Sequence, residues 1–330
     1  MATESRTHSD YTVGWVCALP KEQTAATAML DEIHDSLPTP PSDDNTYTLG
    51  SIGDHNIVIA CLPKGKIGIS SAATVAARMI DTFPSIRFGL MVGIGGGVPH
   101  RGRVRLGDVV VSVPIDRYPG VVQWDMGKAE QGNVFRRTGA LNNPPMLLLS
   151  AITKLETQYE IDGSRIPEYL DALRDKWPLL APKYLRSESL EDVLFKANYN
   201  HRNRSDDDNE RGDTAPEHSD GSQDNEEDTC KYCDKTQVIK RKPRDMRVHY
   251  GLIASGNQVI KDAVLRETVN RNLGGNVLCV EMEAAGLMDN FPCLVIRGIC
   301  DYADSHKNEA WQEHAAAVAA AFAKELLGCV

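Results

Sequence analysis

Apolar residues arrive along this chain in short runs, set between longer stretches of helical spacing. Thr12–Ala18 (TVGWVCA), Ile57–Leu62, Phe88–Val92, Gly107–Val113 and Val248–Ala254 are apolar over strand lengths, and Val277–Val280 and Cys293–Ile299 are two more. Such runs suit strands buried on both faces, as in a helix-covered sheet. Pro20 suits a first helical position with Lys21–Ile33 behind it. Gly68–Phe83, Pro145–Tyr159 and Asn257–Arg271 also follow helical spacing. In the last element, Asn308–Leu327, one face carries Trp311, Ala315, Val318, Phe322 and Leu326, and Gly328 stands where a helix ends. Strands and helices alternate. That order predicts an α/β fold, a single domain with a central, mainly parallel, twisted mixed sheet flanked by helices.

Two segments fall outside the pattern. Residues 1–10 read as a flexible tail ahead of a domain over 11–330. Asn200–Asp228 is almost free of apolar residues. It cannot bury enough surface to offset its ordering entropy, which predicts a polar, mobile insertion at about 200–235.

Composition sharpens this picture in a few places. A hydrophobic share of 42% over 330 residues is ample for a core. The net charge of −10 argues against nucleic-acid phosphate as a partner. No apolar run approaches ~20 residues, so no membrane span is expected, and the polar N-terminus lacks the apolar stretch of a signal peptide. Of the 8 cysteines, Cys17, Cys61, Cys279, Cys293 and Cys300 lie in apolar runs and behave as small hydrophobes. A reducing, cytoplasmic setting is the expectation. Cys230-Lys231-Tyr232-Cys233 has no second CxxC behind it, and His218 and His249 are singletons. It reads as two loop thiols, the alternative being a zinc staple with a partner from elsewhere in the chain; no cofactor is expected. The basic run Lys240–Arg244 follows an acidic stretch and reads as a solvated, charge-balanced loop.

Candidate chemistry gathers at strand ends. Glu281 and Glu283 follow one apolar run and Asp301 the other. In open α/β sheets ligands bind beyond the carboxyl ends of the strands, and three carboxylates there are costly to bury without a partner. Glu283 reads either as a first-turn helix acid or as an acceptor for a ligand diol. An extended chain would put Glu281 and Glu283 on one face; a turn between them would part them. Asp301 reads either as a cap or as a general acid. Gly93-Ile94-Gly95-Gly96-Gly97 is either a tight turn or a place where backbone amides approach a ligand. With no GxxxxGK[ST] and no GxGxxG opening a helix, nucleotide phosphate binding is not favoured.

Five segments in this order, VGWVCALPKEQ, LMVGIGGGV, LGDVVVS, IASGNQVIKD and VEMEAAG…VIRGICDYAD, resemble the nucleoside phosphorylase and nucleosidase superfamily. That group includes purine nucleoside phosphorylase and methylthioadenosine/S-adenosylhomocysteine nucleosidase. The resemblance covers Thr12–Val113 and Val248–Leu327. The acidic insertion and the last third are similar to fungal members that head NOD-like receptor proteins. The resemblance implies that Asp301 protonates the departing purine at N7. Met282 and Glu283, beside Glu281, would hold the ribose and its hydroxyls, and Gly93, Ile94 and Gly95 would flank the sugar. Asn257, Gln258 and Val259 would meet the base, with Val259 in place of an aromatic that commonly stacks there.

Phosphorylases of this group bind phosphate with an arginine before the glycine segment, a serine within it, and an arginine after the first strand. Met91, Ile94 and the stretch Ala18-Leu19-Pro20-Lys21-Glu22 occupy those places here. Glu22 falls where nucleosidases carry the glutamate that activates water. The expectation is hydrolysis of a purine nucleoside to free base and ribose, with Glu22 and Asp301 catalytic. The alternatives are phosphorolysis, with phosphate held by Lys21, Lys64, Lys66 or Arg101, and a non-catalytic nucleoside-sensing module of an immune-type receptor. The resemblance also implies a homo-oligomer.

Overall fold

The computed structural model describes residues 6–100, 103–132, 134–202 and 230–330. Arg101 and positions 203–229 of the expected insertion lie outside the described residues. In chain order the elements are β1 (Val13–Cys17), α1 (Pro20–Met29), β2 (Glu32–Ile33), β3 (Tyr47–Ile52), β4 (His55–Cys61), α2 (Ile69–Thr82), β5 (Phe88–Gly97), β6 (Val109–Ser112), β7 (Val121–Gln123), β8 (Gly127–Glu130) and β9 (Val134–Arg137). There follow α3 (Met146–Asp162), α4 (Ile166–Lys176), α5 (Ala181–Tyr184), β10 (Val248–Ser255), α6 (Ala263–Asn272), β11 (Val277–Glu281), β12 (Cys293–Asp301) and α7 (Gln312–Leu327).

One 10-stranded sheet runs β11-β10-β6-β12-β5-β1-β4-β3-β2, with β7 beside β10. The central strands β12, β5, β1 and β4 are parallel, whereas β6 meets β12 antiparallel and β3 meets β4 antiparallel. The sheet is therefore mixed and mainly parallel, as the alternation predicted. Both faces are covered, which is why β5 and β12 are apolar along most of their length. Trp15, Ile59, Leu90 and Ile296 pack with Ala317, Phe322 and Leu326 of α7 on one side. Val16, Val58, Met91 and Val295 pack with Val75 and Met79 of α2 on the other. Among the described residues, no helix is long and apolar enough to cross a membrane.

Several local expectations shift. The first helix stops at Met29 rather than reaching Ile33. There the amides of Asp31 and His34 bond to Ser51 and Leu49 across a strand pair that the sequence pattern missed. The helix expected from Asn257 begins at Ala263, because the Asp262 carboxylate caps the amides of Val264 and Leu265 at 2.7 and 3.3 Å. Gly93–Gly97 is not a turn but the continuation of β5. Of the expected tail, residues 7–10 are tied by Thr7–Asp10 hydrogen bonds, and the His8 ring lies 5.1 Å from that of Phe83. The basic run is not simply solvated: Arg241 pairs with Asp192 at 2.8 Å and Arg244 with buried Asp108 at 2.5 Å.

Candidate active site

The parallel strands β1, β5 and β12 end side by side, and four acids meet there. Glu22 stands on the first turn of α1. Its Oε2 accepts the amides of Ala18 and Leu19 at 2.6 and 2.9 Å, and its Oε1 accepts that of Ile94 at 2.8 Å. It is thus the capping acid of its own helix and a clasp on β5. Burial raises its pKa, against the opposing pull of Arg297. Gly93 makes this clasp possible: a Cβ there would lie 2.4 Å from Glu22 Oε1 and 2.6 Å from Arg297 Nη1.

Arg297, in the middle of β12, is wholly buried. Its Nη2 donates to Oε2 of Glu281 and lies 3.4 Å from Oε2 of Glu283; its Nη1 donates to the Ile94 carbonyl at 3.3 Å. One guanidinium therefore gathers both glutamates, although the backbone does turn between them. Glu281 Oε2 also accepts the amides of Glu283 and Ala284 at 3.1 and 3.0 Å. Glu283 accepts the Gly68 amide at 3.3 Å, and burial, with Glu281 and Glu22 adding to it and Arg297 opposing, pushes its pKa up to about 7.

Asp301 ends β12, just past a register shift against β5 of the kind that re-aims a side chain. Its Oδ1 accepts the Ala303 amide at 2.7 Å, and its Oδ2 takes a 2.5 Å bond from the Lys307 ammonium. Burial works to lower the pKa of Lys307, but the Asp301 carboxylate beside it prevails and holds it raised.

Glu22, Ile94, Gly95, Gln258, Val259, Glu281, Met282, Glu283 and Asp301 all line one cavity of about 350 Å³, a size suited to a small ligand. Two expected residues do not. Gly93 stands behind it, against Glu22 and Arg297, and Asn257 is exposed, its amide bound to Asp125 at 2.7 Å. Gln258 and Val259 reach the cavity because the stretch before Asp262 is loop rather than helix. Sequence reading missed Arg297, Lys307 and Trp124. Arg297 is a lone charge in an apolar strand, a pattern that itself asks for buried acids. Trp124 is half-buried on the cavity wall and supplies the aromatic surface that Val259 lacks.

The sequence profile of the Phosphorylase superfamily matches residues 199–330. Over that stretch the chain is similar to members of that superfamily. A "Nucleotide-binding leucine-rich repeat (NLR)-like protein" of Hyaloscypha variabilis is 48% identical over 326 residues, covering 96% of this chain and 29% of the relative. The chain thus spans under a third of that relative. An "ATP nucleosidase Cap17" of Escherichia coli is 38% identical over 80 residues, covering 23% of this chain and 16% of that protein. Among solved structures, the futalosine hydrolase of Helicobacter pylori superposes with a TM-score of 0.58 at 17% identity, covering 98% of this chain and 100% of that one. The 5'-methylthioadenosine/S-adenosylhomocysteine nucleosidase of Neisseria meningitidis, in complex with methylthio-immucillin-A, gives 0.58 at 16% identity, over 97% and 99%. The fold is that of these nucleosidases.

Proposed function

We propose that this protein hydrolyses the N-glycosidic bond of a purine nucleoside. The observation that carries the reading is that Glu22, Glu283 and Asp301, from three distant parts of the chain, line one cavity. Breaking the bond develops positive charge on the sugar and negative charge on the base, and only groups that bind those charges better than the ground state speed it. Glu283 and Met282 face the sugar, and the glutamate accepts its hydroxyl hydrogens. Trp124, Val259 and Ile260 give the base apolar contact. The Asp301–Lys307 pair holds a proton at the base, and it moves to N7 as the leaving group gains charge. Glu22 has two oxygens with about four acceptor sites. Three are taken by backbone amides, which leaves one to orient and deprotonate an attacking water.

The charge balance favours water over phosphate. Among the described residues, the ion pairs of Glu281, Glu283 and Asp301 are with Arg297 and Lys307, and Glu22 adds a fourth acid, a deficit that repels a phosphate dianion. Arg297 is consumed by its carboxylates. Lys21 is held by Gln312 at 2.7 Å and Glu313 at 3.0 Å, and Lys64 and Lys66 are exposed and do not line the cavity.

The test is a product assay on adenosine, inosine and guanosine, with ATP added because one relative bears the name of an ATP nucleosidase. Free base should appear at the same rate with and without phosphate. Strict phosphate dependence and ribose 1-phosphate would turn the reading to phosphorolysis; saturable binding without turnover would turn it to sensing. Glu22→Gln should slow turnover about 10²-fold. Melting temperature must be followed alongside, since the amide cannot accept all three backbone N–H groups.

A pH profile checks Glu283. Only its ionised form accepts hydrogen bonds through both oxygens, so KM should fall as pH rises through about 7. In Glu283→Gln that limb should be flat. A profile unchanged by the substitution would remove Glu283 from sugar binding.

A further inference from the structure

Outside the cavity just described, one cluster of donors has no part in the chemistry. His201 Nδ1 lies 3.4 Å from Cys233 Sγ and 3.9 Å from Cys230 Sγ, and the three ligand atoms lie within 4.8 Å of one another. Two thiolates and one imidazole are a typical zinc donor set. With Zn–S of ~2.3 Å and Zn–N of ~2.0 Å, a tetrahedral ion separates sulfur from nitrogen by about 3.5 Å, close to both measured distances. None of the three is fully exposed, and Cys233 is buried.

A second observation comes from His306. Its side chain is only 7% exposed and both ring nitrogens are buried without a hydrogen-bond partner. The ring meets that of His201 edge-on, with centroids 5.6 Å apart, and stacks on Phe195 at 4.0 Å. A buried imidazole with neither nitrogen hydrogen-bonded is costly; its Nδ1 has only the Asp304 carboxylate nearby, at 3.7 Å.

We propose that His201, Cys230 and Cys233 bind a zinc ion; His306, outside the group of donor atoms that lie within 4.8 Å of one another, reaches the fourth position only if its ring moves. The role is structural. His201 and Cys230 are 29 positions apart, so the ion ties together two points that are distant in the chain. The stapled end is tied to the active-site side as well. The His201 amide donates to Ser305 Oγ at 2.9 Å, within the loop that runs from Asp301 to Lys307. The reading of two loop thiols did not single out His201, which stands at the start of the polar stretch and 29 positions before Cys230.

The full chain, purified with reductant and without chelator, should carry about one zinc per chain by mass spectrometry of the elements. Cobalt should replace it with an intense tetrahedral ligand-field spectrum and a thiolate-to-cobalt band. Cys230→Ser, Cys233→Ser and His201→Ala should each weaken metal binding at least ~10²-fold, whereas Cys61→Ser should retain it. If the ligand variants fail to fold, chelator titration of the parent protein, read by melting temperature and metal released, still decides the matter. No bound metal, cobalt without the thiolate band, or a Cys230–Cys233 disulfide in its place would overturn the proposal.

Discussion

Asp301→Asn should cut turnover of any nucleoside that the protein accepts by roughly 10³-fold, with a much smaller change in KM. The carboxylate sits at the end of β12 with one oxygen on the Ala303 amide and the other on Lys307. The amide side chain has the same shape, so the cavity keeps its form while the carboxylate half of the proton-holding pair is lost. A complication is physical: the substituted amide cannot satisfy both the Ala303 N–H and the Lys307 ammonium, and a buried cation without its partner destabilises. Asp301→Asn combined with Lys307→Met removes the stranded charge. The double variant should melt closer to the parent than the single one does, and remain as inactive. Base release from saturating substrate is the measurement, and a single variant that keeps more than a tenth of parental turnover would take Asp301 out of the mechanism.

Arg297→Met should destabilise the fold by about 3–5 kcal/mol near pH 8, the usual cost of stranding buried acids by removing the cation they share. The methylene stem is replaced at little cost in volume; the loss is electrostatic. Glu281 and Glu283 lose their shared donor, and Glu22 loses a nearby positive charge. The deficit should shrink as pH falls, because protonation neutralises the stranded acids. The sign follows from Glu283 itself. Its pKa of about 7 in the fold stands above the ordinary 4.5, so its favourable contribution is complete below 4.5 and is lost as pH rises through 7. Without Arg297 that pKa climbs further and the loss steepens. Denaturant midpoints at pH 5.5 and 8 measure this. An equal loss at both pH values would mean that Arg297 acts by packing rather than by charge.

The sheet, its flanking helices and the last helix were legible because period and apolar run length are local properties. β1, β5, β10, β11 and β12 fall within a residue or two of the runs that predict their starts, β5 and β12 running on past them. β2 and β3 were not legible, since their residues alternate weakly and the pairing that defines them is made across the chain. The same holds for the start of α6, where one capping carboxylate overrules a longer helical pattern.

The sequence by itself determined the helix-covered sheet and the placing of Glu281, Glu283 and Asp301 at strand ends, because burial on both faces forces continuous apolar runs and leaves polar residues where those runs stop. Only the tertiary structure decided that Glu22, 279 positions before Asp301, lines the same cavity, that Arg297 gathers two glutamates, and that His201 joins a CxxC across a long loop. Those facts depend on which strands lie side by side, and a charge in an apolar strand does not say which distant acids will pay for its burial.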